Sequence, residues 1–423
     1  MQLDADLLGL PGPRRLWRRL ADVVEAGTCL AIACPTAEIA QALEMAMAAQ
    51  RELRGWDVTI VDLAGFLYAS TVVEAAYDVL HLDRPPAGAR IDERTLLEHH
   101  ALGRRVVWID ATQAAPGELN RWWPFVTTVG AVSRAMPLGR RCIFVTATLD
   151  GALPGLPDGG PVARLWWWGV LRPLDVAIWV AEIGGDALDR SAAGCAVELG
   201  AFDLELVERL VGERNRYWHG DVGYLAGLLD EYWSERGHPP CVSVDGVLAT
   251  AERPPPELVD AWRIGTVEWW QGRPVAHPAL AACPGDQDSL AVVLWQGQLP
   301  VLLPRIERHR QRLARWLLAR AEQARRRGFA EELTAEEDPL ALEVGPLAWH
   351  AHQLRRAGVI TQEQLRYADL LRLARNDLAH RRPVHSHRLM NLGRLAVAEP
   401  DVFSLAMQVS DRRAHTDGEK GYG

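Results

Sequence analysis

The chain has 423 residues, of which 48% are hydrophobic and 24% charged, and its formal net charge is -9. That length exceeds what one hydrophobic core supports, so about two or three domains are expected, and the composition excludes wholesale disorder. The negative balance gives no global attraction to nucleic acid, so any RNA contact has to come from a local basic patch.

No apolar run reaches membrane-spanning length before Arg, Asp or Gly interrupts it, so no membrane association is expected. The opening MQLDADLLGLPGPRRLWRRL lacks an apolar h-region and is not read as a signal peptide. Six cysteines, at 29, 34, 142, 195, 241 and 283, form no C-x-x-C pair and have no histidine at metal spacing. They are read as free thiols in a reducing cytoplasm, with neither a disulfide framework nor a metal or other cofactor. Lys420 is the sole lysine. Residues 1–419 therefore cannot supply the ammonium of a Walker A loop, so ATP hydrolysis is not expected, and they cannot carry Schiff-base chemistry.

Residues 1–155 read as α/β. Pro13–Glu25 has a helical pattern, Thr28–Cys34 is an apolar run, Thr36–Leu53 is helical, and Val58–Leu63, Val106–Asp110 and Cys142–Thr146 are short strands rich in β-branched residues. Continuously apolar strands alternating with helices predict a parallel sheet covered on both faces. The order resembles a P-loop NTPase core, with Asp110 where a Walker B acid would sit and Thr146 where a sensor polar residue would. Ala33-Cys34-Pro35-Thr36-Ala37-Glu38 replaces the phosphate loop, without glycine or lysine, so a degenerate, non-hydrolysing domain is expected. Asp110 then has two readings, as a nucleotide-binding acid or as the cap of a turn.

Residues 162–235 are read as a helical, Trp-rich, lid-like region, with Trp166-Trp167-Trp168 assigned to packing. Residues 237–298, rich in Pro and Gly, are read as a connector, and 401–423 as a partly disordered tail. From 299 to 400 the periodicity is helical. A first helix over 301–327 places Leu303, Ile306, Leu313, Leu317 and Ala321 on one side, and a second covers 340–357 and stops at Gly358. A third runs over 362–381, opened by the capping box of Thr361 and Gln364 and closed by Pro383. A fourth covers 386–397. Short loops imply an antiparallel four-helix bundle.

The third helix ends Arg375-Asn376-Asp377-Leu378-Ala379-His380-Arg381-Arg382-Pro383. Arg, a polar residue directly after it, and His four residues further on resemble the signature of the HEPN superfamily (higher eukaryotes and prokaryotes nucleotide-binding), over about a quarter of the chain. Asn376 and His380, four apart, share a helix face, and Arg375 has the reach to join them. A guanidinium matches phosphate geometry, and an imidazole can pass protons. Arg381 and Arg382 would add RNA contacts. The resemblance implies a metal-independent ribonuclease of a prokaryotic defence or toxin-like system, with the site built across a homodimer and the α/β domain acting as sensor or scaffold. It equally allows a non-catalytic bundle that dimerises or docks protein partners from a defence operon. Arg214-Asn215-Arg216-Tyr217-Trp218-His219 repeats the spacing and is read as coincidence at a helix end.

Overall fold

The computed structural model describes residues 7–49, 53, 55–86, 88–149, 151, 153, 156–185, 188–280, 286–326, 341–392 and 394. The expected tail at 401–423 lies outside them, as do residues 327–340 between the first two expected helices of the bundle. The chain forms two compact units, each drawn from several segments. One comprises Met1–Trp179, Ala201–Leu204 and Gly237–Leu280; the other comprises Val180–Gly200, Glu205–Arg236 and Ala281–Gly423.

The first unit is α/β. Helix α1 (Pro11–Glu25) precedes strand β1 (Cys29–Ala33), which is buried throughout. Helix α2 (Ala37–Ala48) follows, with the Thr36 hydroxyl accepting from the Ile39 N–H at 3.4 Å. Then come β2 (Asp57–Asp62), α3 (Val72–Val79), β3 (Arg105–Ala111), α4 (Pro116–Ala135), β4 (Cys142–Thr148) and β5 (Val162–Trp166). All five strands are parallel, in the order β2-β3-β4-β1-β5. Burial of β1 and β4 on both faces explains why they read as unbroken apolar runs.

Two strand regions depart from expectation. Residues 162–166, read as the start of a helical region, form β5 at the sheet edge, where Trp166 lies level with Ala33. The presumed connector contains a hairpin of β6 (Val267–Trp270) and β7 (Arg273–Ala276). Its two-residue turn, Gln271-Gly272, has both φ values positive, at 52° and 87°. That is the primed turn matching the twist of antiparallel strands. Helix α5 (Pro173–Gly184) leads out of this unit.

The second unit is helical. It gathers α6 (Arg190–Gly200), most of α7 (Leu204–Val211) and α8 (Val222–Ser234) together with α9 (Gln287–Arg326), α10 (Val344–Arg356) and α11 (Gln362–Ala379). Residues 386–392 are helical as well, within the expected 386–397. The lid-like stretch is therefore divided, and its helices from 190 onward pack with the bundle. The reason is a close crossing of α6 and α9 at two glycines. A Cβ on Gly194 would lie 2.4 Å from the Gly297 carbonyl oxygen, and one on Gly297 would lie 2.5 Å from the Cys195 Cα.

Helix α9 starts at Gln287, well before the expected 301, and carries Pro300 and Pro304 inside it. Each proline removes one ladder hydrogen bond, yet the helix continues because its apolar face stays buried. Ile306, Leu313, Leu317 and Ala321 are core as expected, but Leu302 replaces Leu303, which is exposed. Leu347, Ala351 and Leu354 of α10 and Leu365, Ala368, Leu371 and Leu378 of α11 complete that core. Each buried leucine contributes about 2 kcal/mol. The capping box at Thr361 and Gln364 is formed, and Gly358, with φ +67°, ends α10.

The α6–α9 crossing is directly testable. Gly297→Ala forces two backbones apart and should cost about 3 kcal/mol, read as a lower thermal midpoint. Gly227→Ala lies inside α8 with nothing within 4 Å of the new methyl, and should hold or raise the midpoint. Equal midpoints for the two variants would remove the crossing as a constraint.

Candidate functional site

The residues expected to read nucleotide are used inside the first unit. Asp110 is the penultimate residue of β3, level with Asp62 and Ala147. One of its carboxylate oxygens accepts from the Thr112 N–H at 2.9 Å and the Thr112 hydroxyl at 2.7 Å, which is the geometry of a turn cap. Thr146 is fully buried, and its hydroxyl accepts from the Trp122 indole N–H at 2.9 Å. Burial, and then the Asp110 carboxylate, raises the Glu44 carboxyl and pushes the Cys34 thiol far above its usual range.

The two Arg-Asn-x-x-x-His segments both belong to the helical unit, and their environments are opposite. His219 is fully buried. Its Nε2 lies 2.9 Å from the Ser191 hydroxyl and 3.9 Å from Asp189, while its Nδ1 has no partner among the described residues. Burial holds its pKa down at about 4, against a smaller upward pull from Asp189. Ser191, His219 and Asp189 invite comparison with a catalytic triad, but the acid bonds the serine and not the free ring nitrogen. An aspartate in that position cannot orient the imidazole as a base. Asn215 is consumed by its own turn, accepting from the Tyr217 N–H at 3.1 Å.

Arg375, Asn376 and His380 occupy the last turn of α11. His380 is the C-cap, its N–H donating to the Asn376 and Asp377 carbonyls. Asn376 and His380 are exposed, as are Arg381, Arg382, His385 and His387. Arg375 is half-buried and reaches Glu343 at 4.0 Å, where the two side chains are 41% and 71% exposed. A pair that open contributes about 0–1 kcal/mol, so the guanidinium is readily released to another anion. Asp377 is held by Arg388. Between 375 and 388 four arginines face one aspartate, a local positive patch on a negative chain.

The residue that positions this patch was not legible in sequence. Gln298 of α9 is fully buried. Its amide nitrogen donates to the His219 carbonyl at 2.7 Å and to the Val384 carbonyl at 3.3 Å, and its oxygen accepts from the Val384 N–H at 2.6 Å. One turn earlier, the Trp295 indole donates to the Leu378 carbonyl at 2.7 Å. Gly220 lets the chains meet, since a Cβ there would lie 2.5 Å from the Ser386 nitrogen. The segment 214–220 thus braces the chain that follows α11. A lone buried glutamine without periodicity gives sequence reading nothing to detect. Among the described residues no cluster of His, Cys, Asp or Glu could hold a metal, and no helix is long and apolar enough to cross a membrane.

No protein-family model matches the chain, and no curated protein matches it. Among solved structures it is similar to the ORC2 protein of Aeropyrum pernix, in ADPNP–ADP complexes, at 13% identity and a TM-score of 0.26, over 69% of this chain and 93% of that one. A likeness at that score says nothing of this chain's chemistry.

Gln298→Leu strands two carbonyls and one N–H without partners and should cost about 2–4 kcal/mol in thermal or denaturant unfolding; a loss under about 0.5 kcal/mol would contradict the clamp. His219 gives a separate signature in pH. Its folded pKa lies below the unfolded value of about 6.5, so the unfolded chain binds the extra proton. Stability is present above pH 6.5 and is lost as pH falls towards 4. His219→Gln should flatten the fall of the thermal midpoint between pH 7 and pH 5; an unchanged slope would contradict burial as the cause.

Proposed function

We propose that the exposed turn Arg375–His380 engages RNA and cuts it without metal. The observation that supports this most strongly is the contrast between the two like-spaced segments. One buries its histidine and spends its asparagine on a turn. The other leaves both side chains in solvent, within a patch of arginines, and they make no hydrogen bond among the described residues. A site that needs only packing has no use for that exposure.

In the proposed reaction an RNA 2′-hydroxyl attacks the neighbouring phosphorus. The 2′-O–P bond forms as the P–O5′ bond breaks, giving a 2′,3′-cyclic phosphate and a 5′-hydroxyl. His380 takes the proton from the 2′-hydroxyl, and His380 of a second copy, as the resemblance implies, protonates the departing 5′-oxygen. Arg375 leaves Glu343 and lies against the pentacoordinate phosphate, where a fixed positive charge stabilises the developing negative charge. Asn376 orients the hydroxyl, and Arg381 and Arg382 hold flanking phosphates. In a defence or toxin-like setting the α/β unit would serve as a non-hydrolysing sensor or scaffold.

The test is incubation of the full chain with RNA in excess chelator, with end-group analysis of the products. Fragments ending in cyclic phosphate are expected, with His380→Ala and Arg375→Ala lowering the rate at least about 100-fold and leaving the thermal midpoint unchanged. Equal cutting by wild type and His380→Ala, or no cutting by a chain that forms dimers, would overturn the nuclease reading; the second result would favour a docking bundle.

A further inference from the structure

A cavity of about 470 Å³ lies wholly within the α/β unit, and its lining includes neither Asp110 nor the loop after β1. Its walls carry Arg15 and Arg19 of α1, Arg172, and the indoles of Trp166, Trp168 and Trp269. Arg15, Arg19 and Arg172 are exposed and take part in no ion pair or side-chain hydrogen bond among the described residues. A single carboxylate, Glu252, shares the rim. Three guanidiniums around one small cavity repel one another unless an anion enters.

The walls are held by two buried carboxylates. Asp175, 1% exposed, accepts from the Gly12 N–H at 2.8 Å and from the Arg172 N–H at 2.9 Å, joining the start of α1 to the strand-to-helix segment 170–173. Gly12 is required there, because a Cβ would lie 2.0 Å from the Val170 carbonyl oxygen. Glu268, 6% exposed, accepts from the Gly169 and Trp269 N–H groups at 2.8 and 2.9 Å and from the Trp262 indole at 3.1 Å. Gly169, with φ +68°, leaves room for Trp269, whose ring would sit 2.9 Å from an added Cβ. The Trp166 and Trp168 N–H groups are already spent on the Gly151 and Thr250 carbonyls, which fixes both rings and offers their surfaces, not their donors. Arg164 lies 5.4 Å over Trp166, so half-buried Trp269 is the ring best placed for stacking.

We infer that this cavity binds a nucleoside 5′-phosphate, its base stacked against the Trp269 indole and its phosphate held by Arg15, Arg19 and Arg172. Planar aromatic surface beside guanidinium forks selects a ligand with a flat ring at one end and a compact dianion at the other. The volume is in the range of small-molecule sites and admits one nucleotide, not a strand. The same chemistry can come from a free mononucleotide or from the 5′-phosphorylated end of a nucleic acid. The inference is independent of the ribonuclease reading, since every residue it uses belongs to the other unit.

The test is titration of the full chain with AMP, CMP, GMP and UMP, followed by tryptophan fluorescence and calorimetry. Saturable binding by at least one is expected, with the matching nucleoside at least about tenfold weaker, since charge-assisted bonds contribute about 1.5–3 kcal/mol. Arg15→Ala/Arg19→Ala and Trp269→Leu should each weaken binding at least about tenfold with folding intact, checked by the thermal midpoint. A 5′-phosphorylated trinucleotide that binds more tightly than the mononucleotide would identify a nucleic-acid end as the source; equal or weaker binding would identify the free nucleotide. No saturable binding by any of these, or binding unchanged in both folded variants, would overturn the inference.

Discussion

The helical unit depends on one buried amide. Gln298 satisfies the His219 carbonyl and both backbone groups of Val384, three polar atoms that would otherwise be stranded in apolar surroundings. A buried polar group left unpaired costs about 1–3 kcal/mol, so this one side chain fixes where the chain runs on either side of it. It does so from the first third of a 40-residue helix that carries Pro300 and Pro304 just beyond it. The end of α11, and hence the exposed arginine–histidine patch, takes its position from that clamp and from the Trp295 bond to Leu378.

The two like-spaced segments illustrate how little a spacing says without its surroundings. In the first segment His219 is buried against Ser191 and Asn215 closes a turn, while Arg214 is exposed. Arg375, Asn376 and His380 end a helix in solvent, with Glu343 as a loose partner for the guanidinium. Gly220 and Ser386 bring the chain after each segment into contact, so the buried copy supports the exposed one. Support falls to the first copy, and the chemistry proposed above to the second.

Much of the architecture was legible because apolar periodicity is local. The strands at 29–33, 57–62, 105–111 and 142–148 are runs of small, branched and aromatic residues, and the α11 capping box announced its own start. The misreadings have physical causes. β5 carries Arg164 and Trp166 on a half-exposed edge, which breaks the apolar run expected of a strand. The helix expected from 301 starts at Gln287, and burial carries it through Pro300 and Pro304. Pairing of Gly194 with Gly297, and of Gln298 with Val384, is invisible because the partners are about a hundred residues apart. The exposed motif was legible as a pattern, whereas the cavity between α1 and Trp269 was not, since its walls come from three distant segments.

Whether RNA meets this protein at the end of α11 is best decided by photo-cross-linking. An RNA carrying 2′-O-methyl groups cannot be cut by its own hydroxyls and can be irradiated on the full chain, with the attached peptides located by mass spectrometry. Cross-links within residues 375–388 are the predicted result. Cross-links confined to other segments, or none at concentrations where RNA is bound, would contradict the account.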